Sequence, residues 1–115
     1  MRIIAVLAVL FVGACQVERE EFPDEAARVF CPKLKKCEFG AYEANYSADK
    51  AVCLEKFADE VDDVFFILDA FCEYDPEAGI ECLNKVKKMS CEEFHEGEDF
   101  EDFCEDIYGD CGVPE

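Results

Sequence analysis

The most regular pattern in the chain is apolar: Leu54, Phe57, Ala58, Val61, Val64, Phe65, Leu68, Phe71 and Cys72 follow three-and-four spacing. That spacing keeps one face of an α-helix apolar, so it predicts one long helix of some 25 residues. Ser47 is its expected N-cap, and Asp62-Asp63 is where a bend would fall. A second pattern runs through "DEAARVFCPKLKKC" from Asp24, with acidic residues first and lysines last, in the sense that complements a helix dipole. Pro32 interrupts it and predicts a kink or two short helices. Gly40 to Tyr46 reads as a turn.

Further along, "YDPEAGIECLNKVKKM" offers Asp75 as N-cap and Pro76 as the first helical residue, with Ile80, Cys82, Leu83, Val86 and Met89 facing inward. Ser90 and Glu93 have the form of a capping box for a short helix that stops at Gly97. A last helix carries Phe100, Phe103, Cys104 and Ile107 and ends at Gly109. No segment alternates as a strand does. The expected fold is all-α, a small disulfide-stapled bundle of four to five helices. "CLEKF" at 53–57 and "CLNKV" at 82–86 are alike, but five positions do not define a repeat.

The start of the chain has a different pattern. After Met1 and Arg2, residues 3–14, "IIAVLAVLFVGA", form an unbroken run of apolar and small residues. The run suits a signal-peptide core and falls short of the ~20 residues that span a bilayer. It closes on Val12-Gly13-Ala14-Cys15, which resembles the lipobox of bacterial lipoproteins. That resemblance implies cleavage before Cys15 and lipidation of its sulfur. The expected organisation is a signal peptide at 1–14, a lipidated cysteine and tether at 15–23, and a disulfide-rich helical domain at 24–115. Eight extended tether residues reach at most about 25–30 Å, so the domain would sit close to its membrane.

The chain has nine cysteines, an odd number. Assigning Cys15 to lipid leaves Cys31, Cys37, Cys53, Cys72, Cys82, Cys91, Cys104 and Cys111, enough for four disulfides in about a hundred possible pairings. An ordinary secretory leader cut near Ala14 is the competing reading, and it strands one thiol. Both place the chain outside the cytoplasm, where disulfides persist. Gln16 lacks the aspartate that in enteric bacteria resembles an inner-membrane retention signal, which favours the outer membrane over the inner.

Charge narrows the partners. Without residues 1–14, ten basic residues face 29 acidic ones, a net −19. Phosphate backbones and anionic headgroups would be repelled, so nucleic acid is excluded as a partner. The expected contact with a membrane is through lipid on Cys15, and the like charge of two copies favours a monomer. Any protein partner is unspecified.

Candidate chemistry is sparse. His95 is the sole histidine, and the carboxylates of "EEFHEGED" favour its protonated form, so it reads as a solvated surface residue. A hydrolase-type enzyme or effector using His95 is the competing class. Cysteine spacings match neither Cys-x-x-Cys redox centres nor zinc sites, and no cofactor is expected. From Glu92 to Glu115 the chain carries eleven acidic residues and no Lys or Arg. Their order does not match an EF-hand loop, leaving a solvated acidic face or weak divalent-cation binding. Eleven phenylalanines are many for this length; most lie on helical stripes and read as core, though an exposed subset could form a partner surface.

The order of a first helix ending in cysteines, a mid-chain cysteine, "YDPEAGIECLNKVKKMSC" and a closing "CEDIYGDC" resembles the small cysteine-rich lipoproteins and secreted proteins of myxobacteria and related bacteria. The similarity spans residues 27–111. It implies an envelope location and a stapled helical fold and brings no catalytic residues with it. The expected function is an envelope-anchored binding or structural module rather than an enzyme.

Overall fold

A computed structural model describes residues 16–96 and 103–111. Cys15, the apolar leader, Gly97 and Phe100 lie outside those residues. Helix α1 spans Phe22–Cys37, α2 Phe39–Tyr46, α3 Lys50–Asp69, α4 Pro76–Lys88 and α5 Cys91–Glu96. A two-residue strand, β1 (Glu73–Tyr74), pairs antiparallel with β2 (Tyr108–Gly109), which follows a 3₁₀ turn at Glu105–Ile107. Among the described residues the domain is thus mostly helical and stapled by four disulfides, as the patterning implies.

The core forms where α1 and α3 pack antiparallel. Phe22 stacks on Phe65 with ring centroids 5.1 Å apart, Phe30 on Phe57 at 5.0 Å, and Cys31 bridges to Cys53. Rising positions in α1 therefore meet falling positions in α3. Helix α4 packs on α1 and buries Leu83 and Val86, while its buried Cys82 bridges to Cys104 beside the 3₁₀ turn. Its C-terminal carbonyls are capped from across the interface, since Lys33 Nζ donates to Lys87 O at 3.2 Å and Met89 O at 2.5 Å. A cation at that end also opposes the negative pole of the helix dipole. Phe94 and Phe103 stack at 5.2 Å and both meet Phe30, closing the far end of the core.

Several local expectations hold. Asp75 caps α4 by accepting from Glu77 N at 3.0 Å and Ala78 N at 3.3 Å, and Pro76 follows at the first position. Ser90 and Glu93 exchange the two capping-box bonds, Ser90 N to Glu93 Oε1 at 3.0 Å and Glu93 N to Ser90 Oγ at 3.2 Å. The Glu93 carboxylate is held below its ordinary pKa, most by the bond it accepts from Ser90 N and further by one from the Ser90 hydroxyl at 3.3 Å.

Other expectations are corrected. Helix α1 runs through Pro32 as one element rather than two short helices; the proline is exposed, next to the Cys31–Cys53 bridge. Gly40 to Tyr46 is helical rather than a turn. Tyr42 and Tyr46, one turn apart, are both buried, and that tertiary burial outweighs the weak propensity of Gly40 and Asn45. Ser47 ends α2 in a left-handed conformation (φ 58°) instead of starting α3. The cap of α3 is Asp49, whose extended backbone lets its carboxylate accept from Val52 N at 3.1 Å. Phe71, placed on the inner stripe by spacing, lies beyond the end of α3 and is exposed. Gly109 ends no helix: it pairs with Glu73 in the short ladder, because the chain has already left the 3₁₀ turn at Ile107.

The pairing of the eight domain cysteines is Cys31–Cys53, Cys37–Cys91, Cys72–Cys111 and Cys82–Cys104. The staples tie α1 to α3 and to α5, the turn before β1 to the chain just after β2, and α4 to the residue that precedes the 3₁₀ turn.

Candidate functional site

Of residues 16–23, read as a short tether, Val17, Phe22 and Pro23 are buried, whereas Glu18, Glu20 and Glu21 are exposed. Val17 N donates to Pro76 O at 3.2 Å, and the Tyr74 hydroxyl donates to Val17 O at 2.6 Å. Both backbone groups of Val17 are thereby satisfied by the body of the domain, as burial requires. Gly79 makes room for this: a Cβ there would overlap the Tyr74 hydroxyl and lie 3.0 Å from Val17 Cγ1.

Two residues on, Arg19 reaches the C-terminal half of α3. Its guanidinium meets Asp62 Oδ1 at 3.1 Å and Asp69 Oδ2 at 3.0 Å, and lies 5.1 Å from the centroid of the Phe65 ring. Positions 62, 65 and 69 share a helix face, so one planar cation can bridge two carboxylates across an aromatic ring. Asp69 accepts a further hydrogen bond from the Tyr108 hydroxyl. Tyr74 and Tyr108 pack edge to face at 5.7 Å, and both flank Phe65.

Burial raises the pKa of both hydroxyls above the ordinary tyrosine value. At Tyr74 the nearby Glu18 carboxylate adds to the effect, and at Tyr108 the bond to Asp69 does. This arrangement is a clamp. It fixes Val17 and Arg19 to β1 and α3 through interactions spanning 43 to 57 residues of sequence, and β2 joins it through the bond from Tyr108 to Asp69.

His95 is elsewhere. Its side chain is half exposed, and Nδ1 is paired with the Glu38 carboxylate. Glu38 follows Cys37 and His95 lies one turn after Cys91, so the Cys37–Cys91 bridge positions the pair. Among the described residues, the group bonded to the imidazole is this carboxylate, from the junction between α1 and α2. Among the described residues, a shallow groove of about 240 Å³ lies beside Gln16 and Val17, and another of about 190 Å³ between α4 and the 3₁₀ turn. Neither contains His95, a serine or a threonine. Among the described residues no group of three or more His, Cys, Asp or Glu side chains gathers to hold a metal ion. Residues 97–102 and 112–115 of the acidic C-terminal stretch lie outside the described residues.

The phenylalanines divide as composition suggests. Most fill the core, whereas Phe66 is 76% exposed, Ile67 61% and Phe71 48%, at and just beyond the C-terminal end of α3. Phe39 is exposed at the opposite end of α1. Spacing could not identify the clamp beforehand, because Arg19, Tyr74 and Tyr108 carry no motif. The tyrosines flanking Asp75 and Gly109 were the available signal, and it is a weak one.

No family model, curated protein or solved structure matches this chain. Fold and geometry define a class on their own: a disulfide-stapled, mostly helical domain whose N-terminal segment is locked to its body. No helix among the described residues is long and apolar enough to cross a membrane.

Proposed function

We propose that this protein is an envelope lipoprotein of a bacterium, anchored through lipid on Cys15, which works as a binding or structural module at the membrane surface. The observation that carries the reading is the pairing of cysteines. Four bridges take up all eight domain cysteines, and the ninth, Cys15, stands where the lipobox resemblance places the acyl group. An oxidising compartment is the setting in which four such bridges persist, which agrees with export. The order of cysteines that resembles the myxobacterial group supports the same location, with the outer membrane favoured.

A binding role is supported over a catalytic one by the position of His95, paired with a carboxylate on an exposed surface. The net charge of the domain supports a monomer. The test is Cys15→Ser in the full chain, with membrane and soluble fractions separated. The variant is expected to move from the membrane to the soluble fraction with its melting temperature unchanged. A wild-type chain found only in the soluble fraction, or a variant that stays with the membrane, would overturn the anchor.

A further inference from the structure

We propose that Phe66, Ile67 and Phe71, the exposed apolar side chains at and just beyond the end of α3, rest on the interfacial zone of the bilayer that holds Cys15, so that the domain stands on its membrane in one orientation. The inference rests on the anchor reading and adds to it a docking face.

Placement is the first argument. Because α1 and α3 are antiparallel, with Phe22 against Phe65 and Phe30 against Phe57, the end of α3 lies beside the start of α1. The clamp carries this further toward the N-terminus. Arg19 is bound to Asp62 and Asp69, and Val17 is bound to Tyr74 and Pro76, which follow Phe71 by three and five residues. Cys15 is two residues before Val17, a reach of at most ~7 Å of chain. Acyl groups on Cys15 would therefore enter the bilayer at the same end of the molecule as the three exposed apolar side chains. The other end of α1 is ~24 Å away along its sixteen residues, and carries Phe39.

The second argument concerns what can cover the patch. A second copy would bring another strongly acidic surface against this one, and Asp63 lies on the same face one turn back from Phe66 and Ile67. Like charges at that distance oppose self-association. A bilayer requires no opposing charges. Aromatic and aliphatic side chains settle into the boundary between headgroups and acyl chains, while flanking carboxylates stay in water. One lipid anchor also makes the second contact intramolecular, so even a weak apolar contact is occupied at the high effective concentration a short tether creates. Asp63, Asp69 and Glu73 around the patch make a zwitterionic surface the better support, and anionic lipid should weaken the contact.

The chain contains no tryptophan, which gives a clean probe. The acylated mature protein carrying Ile67→Trp, and separately Phe39→Trp, would be reconstituted into phosphatidylcholine vesicles with and without bromine on the upper acyl chain. Trp at 67 is expected to shift to the blue and lose about half its emission to brominated lipid, as a group within the interfacial 5–10 Å would. Trp at 39 should be unaffected. Phe66→Trp, at the most exposed of the three sites, repeats the reading if Ile67→Trp does not fold. A chain shown by intact mass to be acylated, with Trp at 66 and 67 unquenched or quenched no more than Trp at 39, would overturn the docking face and leave the anchor standing. An unacylated chain would overturn both. A dimer of the unlipidated domain that Ile67→Glu dissolves would assign the patch to a second copy and overturn the proposal.

Discussion

Gly79→Ala should destabilise this protein although it lies inside a helix. In the interior of α4 the replacement by itself would favour folding by about 0.8–1.0 kcal/mol, through lower chain entropy in the unfolded state. The new methyl would, however, overlap the Tyr74 hydroxyl and stand 3.0 Å from Val17 Cγ1 and 3.2 Å from Tyr74 Cζ. Tyr74 has little room to retreat. Its ring is packed against Phe22, Phe65 and Tyr108 at centroid distances of 6.0, 5.9 and 5.7 Å, and its hydroxyl is bonded to Val17 O. Overpacking of this kind costs about 1–3 kcal/mol, and loss of the Tyr74–Val17 hydrogen bond about 1 kcal/mol more. The net expectation is a loss of about 1–3 kcal/mol, or at least about 4–8 °C in melting temperature for a domain of this size.

Tyr74→Phe removes the overlapping atom. Gly79→Ala should then cost less by about 1–2 kcal/mol in that background, the coupling of a contacting pair. Denaturant unfolding under oxidising conditions, in a four-protein cycle, measures this. A Gly79→Ala variant more stable than wild type, with no coupling to position 74, would refute the account of how Val17 is held.

Arg19→Ala should cost about 1–2 kcal/mol, from two partly exposed ion pairs and a cation–π contact; thermal melts at low salt and at 1 M salt should show the difference shrinking as salt rises, and a salt-independent difference would contradict the ionic part. Burial raises the pKa of Tyr74 and Tyr108 in the folded state, so the unfolded chain loses these protons first. Their contribution is complete below pH ~10 and declines as pH rises from there toward the folded values. Tyrosinate absorbance should therefore develop late and together with loss of circular dichroism, and full ionisation near pH 10 with native dichroism would contradict this. Replacing Cys37 and Cys91 by Ala opens a loop spanning 54 residues and should cost about 4 kcal/mol by chain entropy; equilibrium unfolding would show a shift below 1 kcal/mol if the bridge adds no constraint.

What could be read from the chain beforehand was local chemistry. Asp75 before Pro76, and Ser90 three residues before Glu93, act within one turn, so their roles are written in adjacent letters and the structure repeats them. Asp49 escaped because Ser47 offered the same cap two residues earlier, and only the burial of Tyr42 and Tyr46 extends α2 far enough to occupy Ser47. The two-residue ladder has no alternation to detect at its length. The clamp joins Val17 to Tyr74 and Arg19 to Asp69, pairs 57 and 50 residues apart, and the cysteine pairing depends on the same long-range packing. Cysteine number is a property of the composition, whereas connectivity belongs to the fold.

The central claim is a four-bridge domain held to a membrane by its ninth cysteine, and the intact mass of the mature protein from a membrane fraction, before and after reduction, tests it most directly. The account predicts a chain that begins at Cys15, is heavier by its acyl groups, and gains eight hydrogens on reduction, two for each of the four bridges. An unacylated chain that begins elsewhere, or one that gains fewer than eight hydrogens, would contradict it.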